Sequence, residues 1–193
     1  MKDALHLSST PLANDFVDSS RLNEKQPVFP LKLSFCNNCY HTQLKDVVDP
    51  TLLYENYIYV SGTSNTFVKH FEEYANYAIQ EFDLGNEAFV VDIGSNDGTL
   101  LRSFKERGLK VLGVDPARNI SEEANQNGIP TLTSFFDNNV SNQIQSQYGK
   151  ADLVVANNVF AHIDDLDEAT IAIEDLLMEE GVFIFEVSYL KDV

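Results

Sequence analysis

The chain has only two cysteines in 193 residues, which excludes the disulfide framework of a small secreted domain. It has no run of about 18 apolar residues, so no membrane-spanning helix is expected. The first residues, MKDALHLSSTPLANDF, lack the basic-then-apolar pattern of a signal peptide, and a cytoplasmic protein is expected. Basic residues are scarce as well. Thirteen Lys and Arg stand against 30 Asp and Glu, a formal net charge of −17. That field repels phosphate backbones and argues against nucleic acid as a partner, while leaving room for a small ligand held by local groups. What is present is a core: 44% of the residues are hydrophobic, enough for one full-sized domain with or without a small appendage.

Two textures divide the chain. Residues 1 to about 60 hold short alternating runs, four of the six prolines and both cysteines, and predict a small strand-and-loop lobe. From about residue 64 the pattern is regular. Phe67, Phe71, Tyr74, Ala78 and Phe82 recur at helical spacing, with Ser64 or Thr66 placed as N-cap. Strand-like and helical runs then alternate. AFVVDI, KVLGVD, IPTLTSF, ADLVVAN and VFIFEVSYL read as five strands, and TLLRSFKERG, SEEANQNG, NNVSNQIQSQYG and LDEATIAIEDLLMEEG read as the helices between them. This rhythm predicts an α/β fold, a doubly wound Rossmann-like sheet of about five strands.

The first turn of that sheet is DIGSNDG. A dinucleotide fingerprint spaces its glycines Gly-x-Gly-x-x-Gly so that backbone can approach a pyrophosphate. Here Gly94 and Gly98 are separated by Ser95, Asn96 and Asp97. A carboxylate at Asp97 suits a ligand with cationic groups better than a phosphate, and Asp92 adds a second acidic group at the end of the first strand. Asp115 ends the next strand, where an acidic side chain in this fold can accept both hydroxyls of a ribose. A ribose-binding carboxylate, acidic groups and no phosphate cradle together describe S-adenosylmethionine as cofactor. After the fourth strand, Asn157 and Asn158 can hydrogen-bond the amino acid part of that cofactor or a substrate. His162 follows as a candidate general base. Tyr57, Tyr59 and Ser61 cluster before the first long helix, as aromatic packing or as a lid over the cofactor. Cys36 and Cys39 form a Cys-x-x-Cys pair, half of a zinc site or a redox pair; the strand-like flanks favour metal.

Several stretches resemble one family, the S-adenosylmethionine-dependent C-methyltransferases that act on nucleotide-linked deoxysugars. They are PLAN (11–14), CNNC (36–39), YIYVSGTS (57–64), VVDIGSNDGTLL (90–101), VLGVDPARNI (111–120), GIPTLTSFF (128–136), ADLVVANNVFAHIDDL (151–166) and FEVSYLKDV (185–193). The resemblance implies a class I methyltransferase domain over 61–193, behind a zinc-binding lobe over 1–60. It implies Tyr57 and His162 as catalytic residues, with Phe135 and Phe136 near the adenine. The substrate implied is a nucleotide sugar, methylated on a carbon next to a ketone through an enolate. Such a family holds zinc with two Cys-x-x-Cys pairs. Cys36 and Cys39 match the second pair, and no counterpart of the first precedes PLAN; His6 or His41 is the substitute available. A Tyr-His-Glu-His segment of the family has no match before Val193, so the expectation is a fragment truncated at both ends. The alternatives are a non-catalytic cofactor-binding module and an O- or N-methyltransferase acting on another small metabolite.

Overall fold

The computed structural model describes residues 1–55 and 57–188. The chain separates into two compact units, Met1–Tyr59 and Val60–Val193. In the first, β1 (Lys2–Thr10), β2 (Phe29–Phe35) and β3 (Thr42–Leu44) form an antiparallel sheet, followed by one short helix, α1 (Pro50–Tyr54). Register aligns Leu5, Leu33 and Leu44 in one row across the three strands, and Leu7 beside Leu31. Alternation of leucine with polar residues thus becomes one leucine face. Asp49 starts α1 by accepting the Thr51 N–H at 2.9 Å, with Pro50 in the first turn, where its missing N–H costs nothing.

The second unit opens with α2 (Asn65–Glu81), capped by Ser64, whose Oγ accepts the Phe67 N–H. Its stripe buries Phe71, Ala75 and Ala78. A five-stranded sheet follows: β4 (Phe89–Ile93), β5 (Lys110–Asp115), β6 (Thr131–Thr133), β7 (Ala151–Asn157) and β8 (Leu177–Glu186). Between the strands run α3 (Thr99–Lys105), α4 (Arg118–Gln126), α5 (Asn138–Tyr148) and α6 (Leu166–Leu176). All neighbouring strands are parallel, in the order β6-β5-β4-β7-β8. The fold is α/β with a parallel, doubly wound sheet.

Alternation along the strands divides the core in two. Val90, Val111, Leu153 and Val155 pack with Leu100, Leu101 and Phe104 of α3 and the buried stripe of α2. Phe89, Val91, Ile93, Leu112, Val114, Val154 and Ala156 face the other way, against Val140 and Ile144 of α5 and Ile173 and Leu176 of α6. Each such fully buried side chain stabilises the fold by about 1.5–3 kcal/mol. Because both faces are covered, the central strands read as continuous apolar runs rather than alternating ones.

Some boundaries differ from the sequence reading: β6 covers only Thr131–Thr133 of IPTLTSF, α3 ends at Lys105, and the last helix, carried in that reading through Glu180 to Gly181, is shorter. The helix stops at Leu176, and Leu177 is already extended (φ −73°, ψ 147°) and opposite Ala151. Leu176 is the last apolar position of α6 that the core takes up; Met178 is half-exposed. Residues 178–181 bulge out before Val182 resumes pairing with Leu153. The strand ends at Glu186, and the Tyr189-Leu190 end of the expected strand lies outside the described residues.

Candidate functional site

Strand order reverses between β4 and β7, and ligands of open α/β sheets bind outside the carboxyl ends at such a switch point. Here the β4 strand ends in the turn Gly94–Gly98. Gly94 has φ +72° and Gly98 φ +75°, conformations that side chains rarely adopt. A Cβ at Gly94 would run into Val159, and one at Gly98 would lie 2.7 Å from Ile129. The turn is therefore pressed against its neighbours at both ends.

Between the glycines, the polar residues hold the chain together. The Asn96 N–H donates to Asp115 Oδ2 at 2.8 Å, and the Asn96 Oδ1 accepts the Ser61 N–H at 2.9 Å. Asp97 Oδ1 accepts from the Thr99 N–H at 3.2 Å and from the Thr99 hydroxyl at 2.8 Å, capping α3. Its Oδ2 accepts the Gly62 N–H at 3.0 Å. Asn96 and Asp97 thus grip the one-turn helix Ser61–Thr63 from below. Asp97, read from the sequence as a ligand-facing carboxylate, has both oxygens engaged in this clamp.

Asp92 and Asp115 are buried at the ends of adjacent strands. Burial pushes the Asp92 carboxyl well above the usual carboxylate range, and the Asp115 charge adds to the push. Asp115 is raised by burial too, against the opposing effect of the Ala117 and Asn96 N–H groups that it accepts. A carboxylate has about four lone-pair sites, so Asp115 keeps acceptor capacity beyond those two bonds.

Four buried side-chain atoms at this end of the sheet have no hydrogen-bond partner among the described residues: Ser95 Oγ, Asn157 Nδ2, Asn157 Oδ1 and Tyr74 Oη. Ser95 and Asn157 line a small pocket together with Asp92, Gly94, Asn96 and Thr99. A buried polar group left unpaired costs about 1–3 kcal/mol, so groups sharing one pocket point to a polar ligand there. Tyr74 Oη lies beside Asn157 without reaching bonding geometry. Its hydroxyl is held well above its ordinary range by burial, with Asp92 and Glu186 adding to the shift.

Comparison with known families identifies what this arrangement belongs to. Residues 68–193 match the family described as "Methyltransferase domain", which covers more than half of the chain. This chain belongs to the methyltransferase domain family. Residues 1–54 match a family described as "Putative zinc binding domain". Among curated proteins, the chain is 32% identical over 191 residues to the C-methyltransferase NovU of Streptomyces niveus, covering 99% of this chain and 46% of NovU. It therefore spans about half the length of that relative. Two solved structures share the fold. One is an S-adenosylmethionine-dependent methyltransferase from Clostridium acetobutylicum, with TM-score 0.50, 22% identity and coverage of 62% of this chain and 50% of that one. The other is the plantazolicin methyltransferase BpumL in complex with a triazolic desmethylPZN analog and SAH, with TM-score 0.52, 15% identity and coverage of 65% and 48%.

In this methyltransferase domain, Ser61, Asp92, Gly94, Ser95, Asn96, Asp97, Gly98, Asp115 and Asn157 lie together at one end of the sheet. The remaining expected residues have the following local settings. Asn158 takes a left-handed conformation (φ 57°) and gives its Nδ2 to Glu186 Oε1 at 3.1 Å, so its amide serves the scaffold. His162 ends the one-turn helix Phe160–His162 and is exposed, its N–H donating to the Val159 carbonyl at 2.8 Å. Phe135 is 41% exposed just after β6, whereas Phe136 packs on the core face of α5 and α6. Tyr57 and Tyr59 belong to the first unit, in a chain of rings with Tyr54 at centroid spacings of 5.8 and 6.5 Å. Sequence reasoning did not single out Tyr74 for the site, and it missed His70, Thr99 and Glu186 there. His70 and Tyr74 stand one turn apart on α2, and that spacing is the one signal that could have paired them.

The cysteine pair sits in the first unit, in the loop after β2. The Cys36 N–H donates to the His41 carbonyl, and the Tyr40 N–H donates back to the Cys36 carbonyl, both at 2.9 Å. The backbone N–H groups of Cys39 and Asn38 are directed at the Cys36 sulfur, and with the Cys39 thiol they hold its pKa below the ordinary 9.0. This arrangement favours thiolate. A structural zinc takes four ligands, however, and no cluster of three or more His, Cys, Asp or Glu exists among the described residues. His6 is not a substitute ligand: it pairs with Asp3 at 3.3 Å and lies opposite Lys32 in the register. Nor does His41 join the pair as a third metal-binding side chain. The described residues supply half of a zinc site and do not fit a complete one.

Proposed function

We propose that this chain binds S-adenosylmethionine and is part of a C-methyltransferase acting on a nucleotide-linked deoxysugar. The observation that carries the reading is the crevice at β4 and β7. It offers a buried carboxylate, a second carboxylate with spare acceptor capacity at the end of β5, and unpaired amide and hydroxyl groups in one pocket. Asp92 suits the cationic groups of the ligand and Asp115 the ribose hydroxyls. Asn157 and Ser95 suit its amino acid end. The cofactor, when bound, supplies an electrophilic methyl group. SAH in the BpumL structure and the C-methyltransferase activity in NovU's name support the assignment.

The acceptor in this reading is a sugar carbon next to a ketone, whose proton must be removed to give an enolate. His162 is the proposed base for that proton. His162 stands just past β7 on an exposed turn. A cytoplasmic setting accords with such a substrate, and no helix among the described residues is long and apolar enough to cross a membrane.

Calorimetry with SAH, followed by a methyl-transfer assay on a keto-deoxysugar nucleotide, tests the reading in two stages. Absence of SAH binding refutes the cofactor assignment. Binding without transfer, in this chain and in a longer homologue, supports the non-catalytic module instead. Unchanged turnover after His162→Ala in an active homologue removes His162 from the reaction.

A further inference from the structure

Asn157 brings two unpaired polar atoms to the pocket, yet its own side chain is held by nothing that the described residues supply. What fixes the direction of that amide lies one residue further on. Asn158 turns the chain in the left-handed region, where asparagine is tolerated better than most residues. Its N–H donates to the Glu186 carbonyl at 2.6 Å, and its Nδ2 donates to Glu186 Oε1 at 3.1 Å. Glu186 is also the residue opposite Asn157 in the β7–β8 register.

The second carboxylate oxygen is occupied from another direction. His70 Nε2 lies 2.8 Å from Glu186 Oε2. An ionised carboxylate only accepts, so the hydrogen is on His70 Nε2. His70 comes from α2, 116 positions away in sequence, and its ring packs against Tyr74 at 6.2 Å between centroids. The same interaction therefore holds α2 in place with the Tyr74 hydroxyl over Asn157.

We propose that Glu186 is a positioning residue for cofactor binding, a clasp that joins His70 of α2 to the Asn158 turn and thereby orients Asn157 toward the pocket. This rests on the reading that Asn157 contacts the amino acid end of S-adenosylmethionine. Glu186 touches no ligand in this scheme. It acts by removing, before binding, the freedom that the turn and the amide would otherwise lose on binding.

Calorimetry with SAH on the full chain, well below its melting temperature, tests the clasp. Glu186→Ala is expected to weaken SAH binding about tenfold, and His70→Ala about threefold. The double substitution is expected to match Glu186→Ala alone, because His70 acts through Glu186. Glu186→Gln is expected to recover most of the affinity, since its amide can serve Asn158 with the oxygen and His70 with the nitrogen once the imidazole changes tautomer. Asn158→Gly keeps the turn but deletes the Nδ2 bond; it is expected to weaken binding as Glu186→Ala does, and it replaces that variant if Glu186→Ala fails to fold. Wild-type affinity in Glu186→Ala or Asn158→Gly, accompanied only by a lower melting temperature, overturns the clasp and leaves the cofactor reading standing. Additive losses in the double variant overturn it as well. Absence of SAH binding by the wild-type chain overturns both.

Discussion

Replacing Asp97 with alanine removes three accepted hydrogen bonds at once, from the Thr99 N–H, the Thr99 hydroxyl and the Gly62 N–H. The Thr99 N–H is an N-terminal donor of α3, whose own N-cap position is Gly98 with no side chain to offer. Loss of such a cap costs about 0.5–2 kcal/mol. The Gly62 N–H loses a charged acceptor, worth about 1.5–3 kcal/mol. Local opening of the Ser61–Thr63 turn should thus become easier by about 1.5 kcal/mol or more, which is at least tenfold in an opening equilibrium. Amide hydrogen exchange reads this residue by residue. In Asp97→Ala, protection at Gly62 and at Thr99 should both fall about tenfold, with core amides such as Val91 little changed. Asp97→Asn separates the two ends of the clamp. It keeps an oxygen for Thr99 but turns an NH2 toward Gly62, so only Gly62 should lose protection. Unchanged exchange at Gly62 in both variants refutes the clamp and returns Asp97 to the ligand-facing role that its place in the turn suggested.

Three further outcomes follow from the same geometry. Asp92 and Asp115 have folded-state pKa values raised above 3.8, so the folded protein holds protons that the unfolded chain has released, and stability falls as pH rises above about 4. Asp92→Asn should raise the melting temperature at neutral pH and flatten that decline, while weakening SAH binding; a steeper decline contradicts the direction of the shift. Gly98 is left-handed (φ 75°, ψ 17°), and a Cβ there would also meet Ile129 at 2.7 Å. Urea denaturation of Gly98→Ala should show about 1–2 kcal/mol lost to the backbone conformation and about 1–3 kcal/mol more to the contact, and a loss confined to the first amount would mean that backbone conformation alone decides. Cys36 should be alkylated by iodoacetamide with a pH midpoint below 9.0, followed by mass spectrometry of the intact chain; a midpoint at or above 9.0 removes the thiolate-favouring role of the Asn38 and Cys39 N–H groups.

Legibility in the sequence follows the range of the interaction responsible. The strands and helices of the second unit were legible because their cause is local periodicity against a sheet covered on both faces. The misplaced boundary at Leu176 has a non-local cause: pairing of Leu177 with Ala151 across a bulge. The two glycines of the turn were legible as well, because a positive φ leaves few other choices. The Glu186 clasp was not, since its partners come from α2 and from the β7 turn and no spacing in the sequence links them.

Asp97 is the instructive intermediate. A carboxylate two residues before Thr99, at a helix start, satisfies the same local pattern whether it caps the helix or waits for a cation. Only the Gly62 N–H, from a segment 35 positions upstream, decides between them. The preference for a cationic ligand therefore cannot be read from the acidity of the turn as a whole. It rests on Asp92, which is buried where its charge is unfavourable without a partner and which lines the pocket that Asn157 and Ser95 share. A ligand that brings positive charge to that pocket would relieve the burial cost that raises the Asp92 pKa, and its binding should accordingly tighten as pH rises through that pKa.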